Sequence, residues 1–152
     1  MNNISKNISY KEATHSNTAI RRGIENTPKF TELSAMKQLA SKVFQPLRDY
    51  FNEPIRISSF FRSKELNKRI GGSTTSQHCK GEAMDIQGMN GITNKMLFDY
   101  IKENLNFDQM IWEFGTDVEP NWIHVSYKYE GLNRKQILKA VKVKGKTKYI
   151  TI

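Results

Sequence analysis

Residues Ser76-Gln77-His78-Cys79-Lys80-Gly81-Glu82-Ala83-Met84-Asp85, read together with Trp122-Ile123-His124-Val125, carry the pattern that decides the fold. The first stretch places a histidine at the end of a loop and a carboxylate on the strand that follows, and the second places another histidine on a distant strand. Two histidines and a carboxylate can hold a zinc ion with one position open, as in hydrolytic zinc sites. Spacing alone leaves an alternative: a loop histidine, a surface carboxylate and a half-buried strand histidine.

The composition of the chain indicates one modest domain and a polyanionic partner. It has 152 residues, of which 38% are apolar, and this is enough for one core without disulfides. Its 24 Lys and Arg against 15 Asp and Glu give a net charge of +9, which favours nucleic acid or an anionic cell envelope. The single cysteine, Cys79, excludes an intramolecular disulfide, so a metal would have to use histidine and carboxylate.

The N-terminus, from Met1 to Ile8, lacks the apolar core of a signal peptide. No apolar run along the chain is long enough to span a bilayer. We therefore expect synthesis in a cytoplasm without a signal peptide or a membrane span, and export that depends on outside help.

The apolar pattern predicts an α+β fold in which helices pack on one side of a mostly antiparallel sheet. One domain is expected over residues 1–152, with an N-terminal extension at 1–25 that contains a short helix capped by Ser9, and a core at 26–149. A long helical pattern begins at Thr27-Pro28, and Pro46 is expected to kink or break its last turns. Strands are predicted at 55–60, 83–87, 109–114 and 122–127, and the last two are expected to form an antiparallel hairpin. A short helix capped by Ser63 and a helix at 93–104 are also predicted. The chain is expected to end in a hairpin at 141–149 with its lysines on the solvent face.

The motif Ser76-x-His78-x-x-Gly81-x-Ala83-x-Asp85, followed by Trp122-x-His124-Val125, resembles the paired motif of the zinc D-Ala-D-Ala carboxypeptidases and L-Ala-D-Glu endopeptidases. These enzymes cut peptidoglycan peptides and share a fold with the hedgehog signalling domain. The similarity covers about residues 26–149, and it is closest to the small single-domain, phage-associated branch at Phe61-Arg62-Ser63, Leu66-Asn67, Gly71-Gly72-Ser73 and Phe107-Asp108-Gln109. It implies the hedgehog/DD-peptidase fold.

By this resemblance His78, Asp85 and His124 are the ligands of a Zn²⁺ cofactor. Arg62 corresponds to the arginine that contacts the substrate and stabilises developing negative charge. A guanidinium suits that role, because its fork of donors matches both a carboxylate and an oxyanion. An exposed arginine in a salt bridge at the end of a strand is the alternative.

Three further residues are candidates for substrate binding. By the resemblance Ser76 and Gln77 would line the same pocket, although both could be ordinary polar residues of the loop. Trp122 shares a strand face with His124, since the two are separated by two positions. It could contact substrate beside the metal or belong to the core.

Hydrolysis also needs a general base, which takes a proton from the attacking water and passes it to the leaving amine. Many relatives place an acidic residue three positions before the last histidine ligand, but this chain has Asn121 there, and an amide cannot accept and return a proton. We choose Glu113, on the strand that pairs with the His124 strand, because its apolar neighbours would raise its pKa toward a useful range. Glu119 and Asp117 are the fallbacks.

The predicted function is hydrolysis of peptidoglycan stem peptides by a zinc metallopeptidase, either a D-Ala-D-Ala carboxypeptidase or an L-Ala-D-Glu endopeptidase. The phage-like features favour an endolysin-like endopeptidase that acts on the anionic cell wall as a monomer or is carried in a virion. Asn121 leaves open a virion structural or wall-binding protein that keeps the fold without catalysis. Nucleic acid is not the expected partner, because the lysine-rich tail lacks the interleaved aromatics of a stacking platform.

Overall fold

The computed structural model of the protein describes residues 3–152, which form a six-stranded sheet with helices on one face. The strands lie in the order β1-β2-β4-β3-β5-β6, and every neighbouring pair is antiparallel except β3 and β5, which are parallel. This confirms the predicted α+β class. The strands are β1 (Ile55–Ser59), β2 (Ala83–Gly88), β3 (Gln109–Glu113), β4 (Trp122–Ser126), β5 (Gln136–Val143) and β6 (Lys146–Thr151).

Six α-helices and two short helical turns complete the described chain. None of the helices within residues 3–152 is long and apolar enough to cross a membrane. The α-helices are α1 (Tyr10–Thr14), α2 (Asn17–Arg22), α3 (Phe30–Leu39), α4 (Gln45–Phe51), α5 (Lys64–Arg69) and α6 (Asn94–Asn104), with a π-helical turn at Ala40–Phe44 and a 3₁₀ turn at Gln77–Lys80.

The core lies between the helices and one face of the sheet. Alternate residues of the central strands point into it, including Met84 and Ile86 of β2, Met110 of β3 and Val125 of β4, all fully buried. Helices α3, α4 and α6 and the π-helical turn cover this face with residues of the same cluster, such as Met36, Leu39, Phe44, Leu47, Leu97 and Ile101. Because side chains alternate along a strand, the residues between these core positions, Asp85 among them, point to the opposite face.

The long helical segment that contains Pro46 does not break at the proline. Instead it passes through the π-helical turn, where the backbone N–H of Gln45 donates to the carbonyl of Ala40, five residues earlier. The wider turn accommodates a residue that has no N–H and whose ring crowds the preceding turn. At Pro46 the helical pitch changes, and the helical segment does not end there. The segment begins at Phe30, whereas the sequence predicted a start at Thr27-Pro28.

Several helix starts were predicted correctly because the signal is local. The hydroxyls of Ser9, Ser63 and Thr93 each accept a hydrogen bond from a backbone N–H of the first turn of α1, α5 and α6. Helix α2 was missed, since residues 16–22 have little apolar periodicity. Its start is marked by Ser16, whose hydroxyl accepts from the N–H of Ala19.

The final hairpin is longer than predicted, and its lysines lie on both faces of the sheet. Lys142 is opposite Thr147, whereas Lys146 is opposite Val143 and Lys148 is opposite Val141. Lys142 therefore points to one face and Lys146 to the other. The prediction of one lysine face was wrong, because the register between two strands decides which face each residue takes.

Candidate metal centre

His78, Asp85 and His124 come together on the open face of the sheet, as the sequence predicted. One potential ligand atom from each lies within 4.8 Å of the other two. The Nε2 atom of His78 is 3.4 Å from a carboxylate oxygen of Asp85, and the Nδ1 atom of His124 is 3.1 Å from the same oxygen. One nitrogen from each imidazole and the carboxylate thus converge on one small volume.

The sheet register places two of these residues side by side. Asp85 of β2 lies directly opposite His124 of β4, and His124 lies directly opposite Ile111 of β3. Residues directly opposite in an antiparallel pair share a face of the sheet, with their Cβ atoms about 5 Å apart. The alternation that buries Met84 and Ile86 in the core therefore puts the carboxylate next to the imidazole on the other side.

His78 reaches the same point from the 3₁₀ turn between α5 and β2. The hydroxyl of Ser76 accepts from the N–H of His78 and starts this turn. Gly81 ends it with a φ of 75°, and a Cβ at Gly81 would lie 2.3 Å from the carbonyl oxygen of Glu32. Only glycine tolerates both the left-handed conformation and this close approach, so Gly81 fixes the path between His78 and Asp85.

The two nitrogens of His78 have different surroundings. Nδ1 is 2.8 Å from the carbonyl oxygen of Phe60, so it carries the proton and donates to that oxygen. Nε2 is buried and has no hydrogen-bond partner among the described residues. A buried nitrogen lone pair without a donor costs free energy, and a metal ion that coordinates Nε2 would remove that cost.

The charges of the cluster favour a cation. Burial lowers the pKa of His78 despite the adjacent Asp85, so its imidazole is neutral at neutral pH. Burial alone would raise the pKa of Asp85, but the imidazoles of His78 and His124 hold it well below its usual range. The carboxylate therefore stays ionised and the Nε2 lone pair stays free. Neutral imidazole and ionised carboxylate are the protonation states that bind zinc.

Glu113 lies on the same face of the sheet as the cluster. It is directly opposite Trp122 of β4, two residues before His124, and its side chain is 7% exposed. Burial raises the pKa of Glu113 to about 7, with His124 acting in the opposite direction and Asp85 in the same one. A carboxyl group with a pKa near neutral pH can both accept and return a proton.

The other carboxylates considered for this role lie away from the cluster. Both oxygens of Glu119 accept from backbone N–H groups at the start of α6, those of Asn94 and Lys95. Asp117 is 94% exposed and pairs with Lys139. Asn121 is exposed, and its backbone N–H donates to the carbonyl of Glu113. Of the four positions, only Glu113 lines the cleft beside the candidate ligands.

Arg62 lies in the same cleft, half-buried, at the end of the loop that follows β1. One of its terminal nitrogens donates to the side-chain oxygen of Asn67 at 3.3 Å, and its Nε is buried without a partner among the described residues. Burial lowers the pKa of Arg62, which the negative charge of Asp85 partly offsets, and a guanidinium remains charged under all ordinary conditions. Its free donors can therefore bind an anionic or polarised oxygen.

The three candidate substrate-binding residues also line this cleft, whose volume is about 900 Å³. Ser76 uses its hydroxyl as the cap described above. Gln77 donates from its side chain to Glu82 and to Asp108, each at 3.3 Å, so its amide nitrogen is already occupied. Trp122 is half-buried, and its ring centroid lies 5.6 Å from that of Phe114.

Sequence reasoning missed an ion pair between the buried Asp108 and Arg134, a partly exposed residue that lines the cleft. Asp108 is fully buried, and its two carboxylate oxygens accept from the Nε and a terminal nitrogen of Arg134 at 3.0 and 2.8 Å. The pair joins β3 to the segment before β5, which is otherwise irregular. The Phe107-Asp108-Gln109 motif marked Asp108, but nothing in the sequence marks Arg134, 26 residues away.

The chain was compared with known protein families. The sequence model of Peptidase M15 matches residues 6–126 of this chain, a span that holds all three candidate ligands, Arg62 and Glu113, and ends with β4. No curated protein matched the chain. Strands β5 and β6 lie beyond the matched span.

Proposed function

This chain belongs to the peptidase M15 family, and on that premise we propose that it is a zinc-dependent peptidase that hydrolyses the stem peptides of peptidoglycan. The observation that carries the proposal is the convergence of two imidazole nitrogens and one carboxylate within 4.8 Å. Enzymes of this family depend on zinc, and the set of two histidines and an aspartate fits that ion.

His78 through Nε2, Asp85 through its carboxylate and His124 through Nδ1 would hold the ion, which fits the unpartnered Nε2 and the ionised Asp85. A zinc ion there supplies Lewis-acid chemistry, since it polarises a peptide carbonyl and acidifies water. The carbonyl of Phe60 holds the ring of His78 through Nδ1. Such a partner fixes the tautomer and orientation of a metal-binding histidine.

Glu113 would act as the general base. With a pKa raised to about 7, it accepts the proton of the attacking water and returns it to the amine that leaves. Because the side chain is only 7% exposed, few water molecules can solvate the carboxylate and lower its pKa toward the ordinary value. Since Glu113 supplies this function from β3, the exposed Asn121 needs no part in the reaction.

Arg62 would bind the substrate and stabilise the negative charge that develops on the carbonyl oxygen. Its half-buried side chain lines the cleft that contains the metal ligands. A donor held in place before the reaction stabilises the transition state without a further reorganisation cost. Trp122, Ser76 and Gln77 would complete the walls around the bound peptide.

Peptidoglycan is the proposed substrate because the ligand motifs resemble those of wall peptidases. The net charge of +9 would hold the protein close to an anionic wall. The phage-like segments around the motifs support an endolysin-like role, in lysis or carried in a virion.

The test is digestion of purified peptidoglycan by the zinc-loaded protein, followed through the release of new amino groups. We expect release by the wild-type protein, loss with a chelator and recovery with added zinc. His78→Ala should bind no zinc and release nothing. His15→Ala is the matched control, because His15 is an exposed histidine outside the cluster. Equal zinc content in the two variants would contradict the proposed ligands.

A further inference from the structure

The C-terminal hairpin of β5 and β6 forms one wall of the cleft, although it lies outside the span matched by the family. Lys142 of β5 and Thr147 and Tyr149 of β6 line the same cleft as the candidate ligands. The hairpin is joined to the sheet through the parallel pairing of β5 with β3. This chain thus adds residues to its own cleft that the family match does not contain.

The sheet register places Tyr149 on the same face of the sheet as the proposed base. Glu113 lies opposite Ala140 of β5, and Ala140 lies opposite Tyr149 of β6. Strands are about 4.8 Å apart, so the backbone of Tyr149 lies about 10 Å from that of Glu113, and only the small side chain of Ala140 stands between the two residues on this face. Burial and the carboxylates of Glu113 and Asp85 raise the pKa of Tyr149. Its hydroxyl therefore keeps its proton and remains a donor.

Lys142 is a cation on this wall without an acidic partner among the described residues 3–152. Its Nζ donates to the hydroxyl of Thr147 at 3.0 Å and lies 5.5 Å from the ring centroid of Phe114. By contrast Lys139, on the same strand but on the opposite face, pairs with Asp117. The contacts to Thr147 and Phe114 hold the ammonium group in place and leave at least one of its three donors free.

We propose that Lys142, flanked by Thr147 and Tyr149, binds a free carboxylate of the peptide substrate and gives the enzyme a preference for peptides that carry it. The inference rests on the proposed function and deepens it. Carboxylates are the anionic groups of a stem peptide, and an ammonium beside the Thr147 hydroxyl offers them charge-assisted hydrogen bonds. Tyr149 lies two residues further along the same face of β6 and lines the same cleft. The subsite lies on the Glu113 side of the cleft, whereas Arg62 reaches the cluster from the loop after β1.

The experiment uses a synthetic stem pentapeptide in three forms: with both carboxylates free, with the D-Glu carboxyl amidated, and with the C-terminal carboxyl amidated. Affinity is measured by calorimetry on zinc-loaded Glu113→Gln protein, and kcat/KM is measured on zinc-loaded protein with Glu113 intact. We expect one of the two amidations to weaken binding by about 1.5- to fivefold, the range for an exposed charge pair. Lys142→Gln should remove that discrimination, and Tyr149→Phe should reduce it.

Lys146→Gln is the matched control, since it removes the same charge from the same hairpin but on the opposite face. It should leave the discrimination unchanged at about 0.15 M salt, where distant surface charges are screened. Discrimination that persists in Lys142→Gln, or that is absent from the wild-type protein, would overturn the subsite. Tighter binding of the peptide with free carboxylates, without hydrolysis by the protein with Glu113 intact, would support the subsite and refute the peptidase. Hydrolysis of the free and amidated peptides with equal kcat/KM would support the peptidase and refute the subsite.

Discussion

Replacing Glu113 with glutamine should abolish hydrolysis and also stabilise the metal-free protein at neutral and alkaline pH. Glutamine has nearly the same shape but cannot transfer a proton, so the catalytic loss follows from the role of the base. The gain in stability follows from burial. At pH 8 the wild-type protein must hold an ionised carboxylate that is only 7% exposed, and the variant holds a neutral amide instead.

The magnitude follows from the pKa of Glu113, which burial raises from 4.5 to about 7. Each tenfold change in the ionisation constant corresponds to about 1.4 kcal/mol, which sets an upper limit of about 3.5 kcal/mol. The folded state holds the proton more tightly than the unfolded chain does, so the free energy of unfolding falls as pH rises from 4.5 to about 7. The variant does not have this loss. It should be more stable by about 1–3 kcal/mol at pH 8 and equally stable at pH 4.

The assay is urea denaturation of both proteins with a chelator present, at pH 4 and pH 8, beside kcat/KM on zinc-loaded protein. Glu130→Gln, at an exposed position, controls for the change in net charge. Bound zinc should shrink the difference, because a nearby cation favours the ionised carboxylate. The reasoning is refuted if Glu113→Gln retains activity, or if its stability difference from the wild-type protein does not change with pH.

Three further experiments test the fold and the site. Gly81→Ala should destabilise the protein by about 3 kcal/mol or more, because the added Cβ meets the Glu32 carbonyl. Gly91→Ala, which adds only left-handed backbone strain because the space around it is open, should cost about 1–2 kcal/mol. Thermal denaturation distinguishes the two variants. Asp108→Asn should cost about 1–3 kcal/mol at pH 7 in urea. Arg134 lowers the pKa of Asp108 against the effect of burial, so that cost should shrink as pH falls below about 4, and a constant difference would contradict the ion pair. Zinc at a thousandfold excess over its Kd should stabilise the wild-type protein by about 4 kcal/mol, a gain that Asp85→Asn should largely lose in the same thermal assay.

The parts of the structure that were predicted correctly are those with local signals. The capping hydroxyls of Ser63 and Thr93 mark helix starts without any knowledge of tertiary contacts. Strand alternation around Met84 and Ile86 is enough to turn Asp85 away from the core. The cluster of His78, Asp85 and His124 was expected from the resemblance of the motifs to those of zinc peptidases, and the three residues lie together in the structure.

The parts that were missed depend on register between distant segments. The parallel pairing of β3 with β5 determines that Lys142 and Tyr149 share a face with Glu113, and neither strand alone encodes it. The choice of Glu113 over Asp117 and Glu119 was made from strand pairing. The structure adds the reason why the other two lie elsewhere, since Glu119 binds the start of α6 and Asp117 pairs with Lys139.

The central claim is tested most directly by mass spectrometry of peptidoglycan digested in parallel by zinc-loaded wild-type and Glu113→Gln protein. We predict one new pair of termini within the stem peptides for the wild-type protein, with oxygen from isotopically labelled water in the new carboxyl group. The Glu113→Gln protein should bind zinc equally and release no fragment. An unchanged stem peptide after treatment with the zinc-loaded wild-type protein would contradict the account.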